Sequence, residues 1–308
     1  FTSLNRIFKN RKIDYVMSSI TGIEGLNPTL KIIKYSKKIA IANKEAIICG
    51  WGLLNKELKK FNVNFIPIDS EHFSIWFGLD NKLSDSISKV YLTASGGPFL
   101  YQSIKSLKKI KISSALNHPN WKMGKKISID SATMMNKIFE IIEARNIFNI
   151  SIKKLSILTH PKSYVHAIIE FNNGMIKFIA HDTTMEIPIF NSLFTENQKR
   201  LKFNKINLKL INNLKLEHIN KERFLVVKIL DKLNDSHSLF ETVIVSANDA
   251  LVELFLNKKI SFNEISTKLL NFISKKSLTK YKQIQPKNIQ DILELDRYVR
   301  LKINLMCV

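Results

Sequence analysis

Between residues 13 and 69, short β-branched apolar runs alternate with helical segments, and this alternation constrains the fold more than any other feature of the chain. "IDYVMSSIT" reads as a strand ended by Gly22 and Gly25, and Pro28 stands early in a helix running to about Tyr35. "KKIAIAN" is a second buried run, a helix is expected from Lys44 to about Phe61, and "VNFIPID" is a third strand. Such a pattern predicts a parallel sheet with functional residues at the C-terminal ends of its strands. Asn43-Lys44-Glu45 and Asp69-Ser70-Glu71 both stand at such ends.

From 72 to about 200 the pattern is mixed. "VYLTASGGPF" is a strand entering a glycine turn, and "ISIDSATMMNKIFEIIEARNIF" is one helix capped by Asp130 or Ser131. "LSILTH" and "VHAIIEFNNGMIKFIA" read as strands, with a hairpin at Asn172-Asn173-Gly174. After a polar stretch around 200 to 222, helical periodicity returns in "ETVIVSANDALVELFL" and "IQDILELDRYVRLKI". With 308 residues and 45% hydrophobic content, the chain can bury a large core in two or three domains.

Composition excludes some functions. The charge of +22 comes from 48 Lys+Arg against 26 Asp+Glu, but the lysines are spread from end to end without an Arg-rich block. That distribution predicts no nucleic-acid partner and suits an anionic phosphate substrate. Lys44 and Glu45 interrupt even the most apolar stretch, so no membrane span is expected. Two cysteines, Cys49 and Cys307, are too few for a disulfide framework and fit a reducing compartment. The first residues, beginning at Phe1, have neither the apolar core nor the cleavage site of a signal peptide and read as the inside of a helix, so the chain is expected to be a fragment.

Asp69 and Glu71, two apart at a strand tip, would point to one face about 6 to 7 Å apart. Like charges that close raise each other's pKa unless a cation lies between them. On the helix from 131, Asn136, Lys137 and Glu140 share one side, with Met134, Ile138, Ile141 and Ile142 opposite. Ser131 at the start of that helix would sit where an anion is welcome. "SGGPF" at 95 offers Ser95 and backbone N–H groups to a second anion site, and "HPNWKMGKK" at 118 carries Trp121 on an aperiodic, lid-like loop. The spacing of His72, His160 and His166 fits no helical metal site, so these are read as structural; Cys49 is read as buried.

Together "ANKEAI" at 42, "PIDSEH" at 67, "TASGGPF" at 93, "HPNWKMGKKISIDSATMMNK" at 118 and "EIPI" at 186 resemble the 1-deoxy-D-xylulose 5-phosphate reductoisomerase family. The resemblance implies an NADPH-dependent enzyme that makes 2-C-methyl-D-erythritol 4-phosphate for isoprenoid synthesis. It also implies a homodimer in a bacterial cytoplasm or a plastid-type organelle. Carried over, it makes Asp69, Glu71 and Glu140 ligands of Mg²⁺, Mn²⁺ or Co²⁺, and sets Lys44 and Ser70 beside the substrate near the metal. Ser95, His118, Ser131, Asn136 and Lys137 would surround the substrate's phosphate; Asn43, Glu45 and Gly124 would contact NADPH; Trp121 and Met123 would belong to the covering loop.

The implied fold class is α/β. Residues 1–69 would form the C-terminal part of a Rossmann-like NADPH domain and 70–200 an α+β catalytic domain; 201–225 would be a linker and 226–308 a small helical bundle. The chain departs from the family's pattern at Ile138-Phe139, where Gly-Leu is common, and at Thr183-Thr184-Met185, where Pro-Asp-Met is usual. The family's glycine-rich phosphate fingerprint is absent, which predicts weak or no NADPH binding by this stretch alone. The alternative is a catalytically inactive module that holds a phosphosugar and a metal.

Overall fold

The computed structural model describes residues 4–8, 11–80, 84–194, 200–202 and 204–307. After a short helix, α1 (Leu4–Phe8), the chain runs β1 (Ile13–Ser18), α2 (Leu26–Ile33), β2 (Ser36–Ile41), α3 (Lys44–Phe61) and β3 (Asn64–Pro67). The three strands form a parallel sheet in the order β1-β2-β3, with Val16 opposite Ile39 and Ile39 opposite Phe65. This is the alternation the apolar pattern predicts. Asn43 caps α3 by accepting from Ala46 N at 2.8 Å, and Asn62 ends it in the left-handed region at φ 51°. Gly50 lets α3 close on α2, since a Cβ there would stand 2.4 Å from Leu26 Cδ1.

A second, mixed sheet follows, built after α4 (Ser70–Leu79) from β4 (Ile87–Ala94) onward. Between them, α5 (Ile112–Leu116), α6 (Lys125–Thr133) and α7 (Met135–Phe148) lead to β5 (Leu155–Thr159), β6 (Val165–Phe171) and β7 (Ile176–Ala180). Beyond come α8 (Glu186–Leu193), α9 (Leu208–Ile211) and β8 (Glu217–His218). The order is β7-β6-β4-β5-β8, with β4 parallel to β5 and antiparallel to β6. β6 and β7 form the expected hairpin. Helix α7 packs on β4 and β5, α4 packs on β6 and β7, and the two helices touch each other. Residues 217–218, in the stretch read as a linker, pair with β5 and complete the sheet.

Two expected elements differ. The third strand stops at Pro67, and Asp69 begins α4 rather than ending the strand. The single helix expected from about 131 is two helices, divided at buried Met134 with φ 74°. Thr133 makes the break locally, its Oγ1 donating to Asp130 O at 3.2 Å and accepting from Met135 N at 3.3 Å. No glycine or proline marks this position, so periodicity alone runs straight through it.

The chain closes with α10 (Leu239–Leu256), α11 (Phe262–Ile273), α12 (Lys276–Thr279) and α13 (Ile289–Cys307). Helix α10 is buried along most of its length against α13, α11, α3 and α6. Ser238 and Glu241 form a capping box at its start, and Glu241 also meets Arg145 of α7 at 2.7 Å with both side chains almost fully buried. Arg145→Met would strand the Glu241 charge and should cost about 3–5 kcal/mol in urea denaturation. The Arg145→Met/Glu241→Gln double variant should lose less than that single one, a result a pure packing role would not give.

Candidate functional site

Three carboxylates meet where α4 and α7 pack together. Asp69 is the N-cap of α4 and accepts from Glu71 N at 3.2 Å, while Glu71 lies in the first turn and Glu140 comes from the second turn of α7. Each offers an oxygen within 4.8 Å of the others. Asp69 and Glu71 do not share a strand face, because the strand ends before them. A cap and a first-turn residue converge here, at a helix N-terminus whose free N–H groups favour negative charge.

Two lysines stand among the acids. Lys44, the first residue of α3, sets its Nζ against Asp69 and lies 3.5 Å from Glu140 and 3.4 Å from Glu143. Lys137 Nζ is 2.5 Å from Glu71 and also touches Glu140. Burial would lower both lysines, but the surrounding carboxylates outweigh it and hold them charged: Asp69, Glu143 and Glu140 around Lys44, Glu140 and Glu71 around Lys137. Burial and then the Glu71 carboxylate push Glu140 up to about 8. Burial pushes Glu143 up to about 7 against the pull of Lys44 and His72. Asp69 goes the other way, because Lys44 and then His72 overcome its burial and hold it well below the usual range.

With all four acids ionised, the carboxylates outnumber the two ammoniums in a largely buried site. The donors are hard oxygens of the kind Mg²⁺ and Mn²⁺ take. Glu143 was not anticipated. Its signal in the sequence was its spacing, three residues after Glu140 and seven after Asn136 on one helix side.

Beside the acids lies a set of donors for an anion. Ser95 Oγ is 3.0 Å from His118 Nε2 and accepts from Gly97 N at 3.2 Å. His118 Nδ1 accepts from the backbone N–H groups of Asn120 at 3.1 Å and Trp121 at 3.0 Å. A neutral ring accepting at Nδ1 carries its proton on Nε2, so it donates to Ser95 and leaves the serine hydroxyl hydrogen free for a ligand. Burial lowers the His118 pKa, which favours that neutral form. Ser131 lies near the C-terminal end of α6 and caps nothing, so the expected helix start there is corrected. At the start of α7, Met135 N is spent on Thr133 Oγ1 at 3.3 Å and Lys137 N on Met134 O at 3.1 Å. Asn136 Nδ2 donates to Glu140 Oε1, tying the two ends of the site together.

A cavity of about 280 Å³ brings together Lys44, Asp69, Ser70, Glu71, Ser95, His118, Trp121, Met123, Ser131, Asn136, Lys137 and Glu140. Ser163, His166 and Met185 line it as well, and sequence reasoning had not placed them there. His166, read as structural, meets Trp121 edge-on at 6.3 Å and stacks on His181 at 3.7 Å. His72, also read as structural, bonds Glu140 O at 2.8 Å and lies 3.6 Å from Asp69. His160 is buried and bonds Lys215 O at 3.1 Å, outside the cavity lining.

Asn43, Glu45 and Gly124 stand outside this cavity lining. The Asn43 side chain is fully spent, holding Ala46 N and the carbonyls of Ile20 and Gly22. Glu45 pairs with Lys126 at 2.9 Å. Gly124 caps α6 with nothing within 4 Å of where a Cβ would stand, leaving space for a ligand.

Three family profiles match the chain. "1-deoxy-D-xylulose 5-phosphate reductoisomerase" covers residues 2–51, its C-terminal domain 65–148, and "DXP reductoisomerase C-terminal domain" 182–302. The chain is 57% identical to the 1-deoxy-D-xylulose 5-phosphate reductoisomerase of Pelagibacter ubique, across 100% of this chain and 80% of that protein. It is 37% identical to that of Clostridium tetani, across 98% and 78%. Among solved structures, the reductoisomerase from Zymomonas mobilis in complex with NADPH superposes with a TM-score of 0.86 at 30% identity, across 96% of this chain and 75% of that one. A DOX-P reductoisomerase in complex with NADPH, fosmidomycin and magnesium superposes at 0.87 and 31%, across 99% and 78%.

The raised carboxyls carry a pH signature. Glu140 sits above its ordinary value of 4.5, so its contribution to stability is full below that value and is lost as pH rises through about 8. The lowered histidines, His118 and His166 among them, act in the opposite sense, losing stability as pH falls below about 6.5. The comparison with Glu140→Gln separates the two. In metal-free urea denaturation the variant should gain on wild type from pH 6 to pH 8, by at most about 1.4 kcal/mol per pH unit. A difference that stays flat across that window would refute the buried, shifted carboxyl.

Proposed function

The chain belongs to the 1-deoxy-D-xylulose 5-phosphate reductoisomerase family, and from that premise we propose that it isomerises and reduces 1-deoxy-D-xylulose 5-phosphate to 2-C-methyl-D-erythritol 4-phosphate with NADPH. The product belongs to the non-mevalonate route to isoprenoids. The observation that carries the reading is the convergence of Asp69, Glu71 and Glu140 within 4.8 Å beside the hydroxyls and amides of Ser95, Ser131 and Asn136. One end suits a divalent cation and the other a phosphate, and the space between suits the reacting carbons of a small sugar.

Asp69, Glu71 and Glu140 are the groups that would hold the metal, and their hard oxygens fit Mg²⁺, Mn²⁺ or Co²⁺. When bound, such a cation supplies Lewis-acid polarisation of the ketone, and NADPH supplies a hydride. The protein's own groups do the rest. Lys44 brings a fixed positive charge to the metal end, where negative charge develops on substrate oxygen during rearrangement and reduction. Ser70, buried at the same end, offers a hydroxyl. Ser95 donates the hydrogen that His118 leaves free, with Ser131 and Asn136 around the same phosphate. Once the acids are neutralised, Lys137 is free to turn from Glu71 and Glu140 toward that phosphate.

Trp121 and Met123 cover the cavity, so that binding the phosphate can be used to close the loop and exclude water. Toward NADPH, Glu45 and Gly124 offer a carboxylate and an open backbone. Asn43 acts by fixing the loop after β1 through the carbonyls of Ile20 and Gly22. A second copy of the chain is the natural partner: β7 is a sheet edge whose outer face exposes Ile176 and Phe178, next to exposed Met175. No helix among the described residues is long and apolar enough to cross a membrane, and the bacterial relatives support a bacterial cytoplasm.

Glu140→Gln should weaken Mg²⁺ binding by calorimetry and lower substrate-dependent NADPH oxidation by roughly a thousandfold or more, with the circular dichroism spectrum unchanged. Wild-type turnover in that variant would remove Glu140 from the site. Binding of Mg²⁺ and inorganic phosphate without turnover, in a chain extended to the full length of its relatives, would favour the inactive module instead. Phe178→Glu should shift a dimer to monomer in sedimentation velocity, and an unchanged dimer would place the interface elsewhere.

A further inference from the structure

Arg223 does not line the cavity, yet it grips the chain that carries Ser95. Residues 99 to 102 form a turn in which Gln102 N donates to Phe99 O at 3.1 Å. Arg223 Nη1 donates to the same carbonyl at 2.8 Å, and its Nη2 donates to Gln102 O. Phe99 beneath is buried edge-on against Phe262 of α11 at 5.2 Å. Inside the turn, Leu100 presses on the glycine loop, because a Cβ on Gly96 would stand 2.7 Å from Leu100 Cδ1. On the other side, a Cβ on Gly97 would stand 3.0 Å from Ala132 Cα and 3.1 Å from Ser131 O. The loop is thus wedged between the turn held by Arg223 and the helix that carries Ser131.

We propose that Arg223 is a positioning residue for the phosphate end of the site: its guanidinium fork fixes the turn at 99–102, and through Leu100 and the two glycines sets the Ser95 hydroxyl opposite Ser131. This rests on the reading of Ser95 and Ser131 as phosphate ligands. The fork is suited to the task, because two N–H donors in one plane fix two carbonyls relative to each other, which a single ammonium does not. The geometry also explains the two adjacent glycines, at φ 82° and 66°: each takes the left-handed region, and a Cβ would crowd Leu100 at the first and the α6 backbone at the second.

The test uses the full chain, with inorganic phosphate and Mg²⁺ titrated separately by calorimetry in wild type, Arg223→Gln, Arg223→Lys and Ser95→Ala. Arg223→Gln should weaken phosphate roughly three- to tenfold, since small misplacements of binding groups are costly. Its Mg²⁺ affinity should stay at the wild-type value, and Arg223→Lys should recover part of the loss. Wild-type phosphate affinity in Arg223→Gln, or a parallel loss of phosphate and Mg²⁺ affinity, would overturn the inference. Ser95→Ala separates it from the underlying reading: a loss there with none in Arg223→Gln sinks only the positioning role. Wild-type phosphate affinity in Ser95→Ala, or a wild-type chain that takes no phosphate, sinks the reading of the anion end and the inference with it.

Discussion

Four carboxylates and two lysines, buried or half-buried at the junction of α3, α4 and α7, set the terms for the rest of the structure. Charges taken out of water are tolerated only when paired, and here the carboxylates outnumber the lysines. The consequence is visible in Glu140 and Glu143, whose carboxyls are pushed into the range where they take up protons near neutrality. A divalent ion removes that frustration. The site is strained in the direction of its ligand, as expected where buried groups are retained for function rather than stability.

The fold places this junction and holds it. Asp69 and Glu71 come from the start of a helix at the end of the parallel sheet, so their positions follow from where β3 stops. Glu140 and Glu143 come from a helix laid on the mixed sheet. That helix is anchored at its far end by Arg145 to Glu241 of α10, a helix that packs in turn against α3, which carries Lys44. The terminal helices therefore brace both sides of the junction without contributing a side chain to the cavity lining.

The two ends of the cavity differ in how they are built. At the acidic end, side chains hold one another through ion pairs, and the arrangement can change when charge is added. At the Ser95 end, backbone does most of the holding: Gly97 is pressed against α6, and His118 is fixed by the N–H groups of Asn120 and Trp121. A rigid anion cradle beside a charge-sensitive cation site suits a substrate gripped by its phosphate while its carbon skeleton rearranges.

Much of this was legible in the sequence. Strand and helix alternation gave the parallel sheet and the span of α3, because apolar periodicity is a local property. Motif resemblance gathered twelve residues that line one cavity. What sequence could not supply was decided by contacts between distant segments. The break at Met134 depends on a threonine hydroxyl competing for backbone, with no glycine to announce it. Glu143, His72 and His166 owe their place to packing of α4, α7 and β6, and Lys137 faces the acids because burial leaves it no water to turn to. Residue types are written along the chain, but which charges share a dielectric, and so which carboxyl keeps its proton, is settled only when the helices meet.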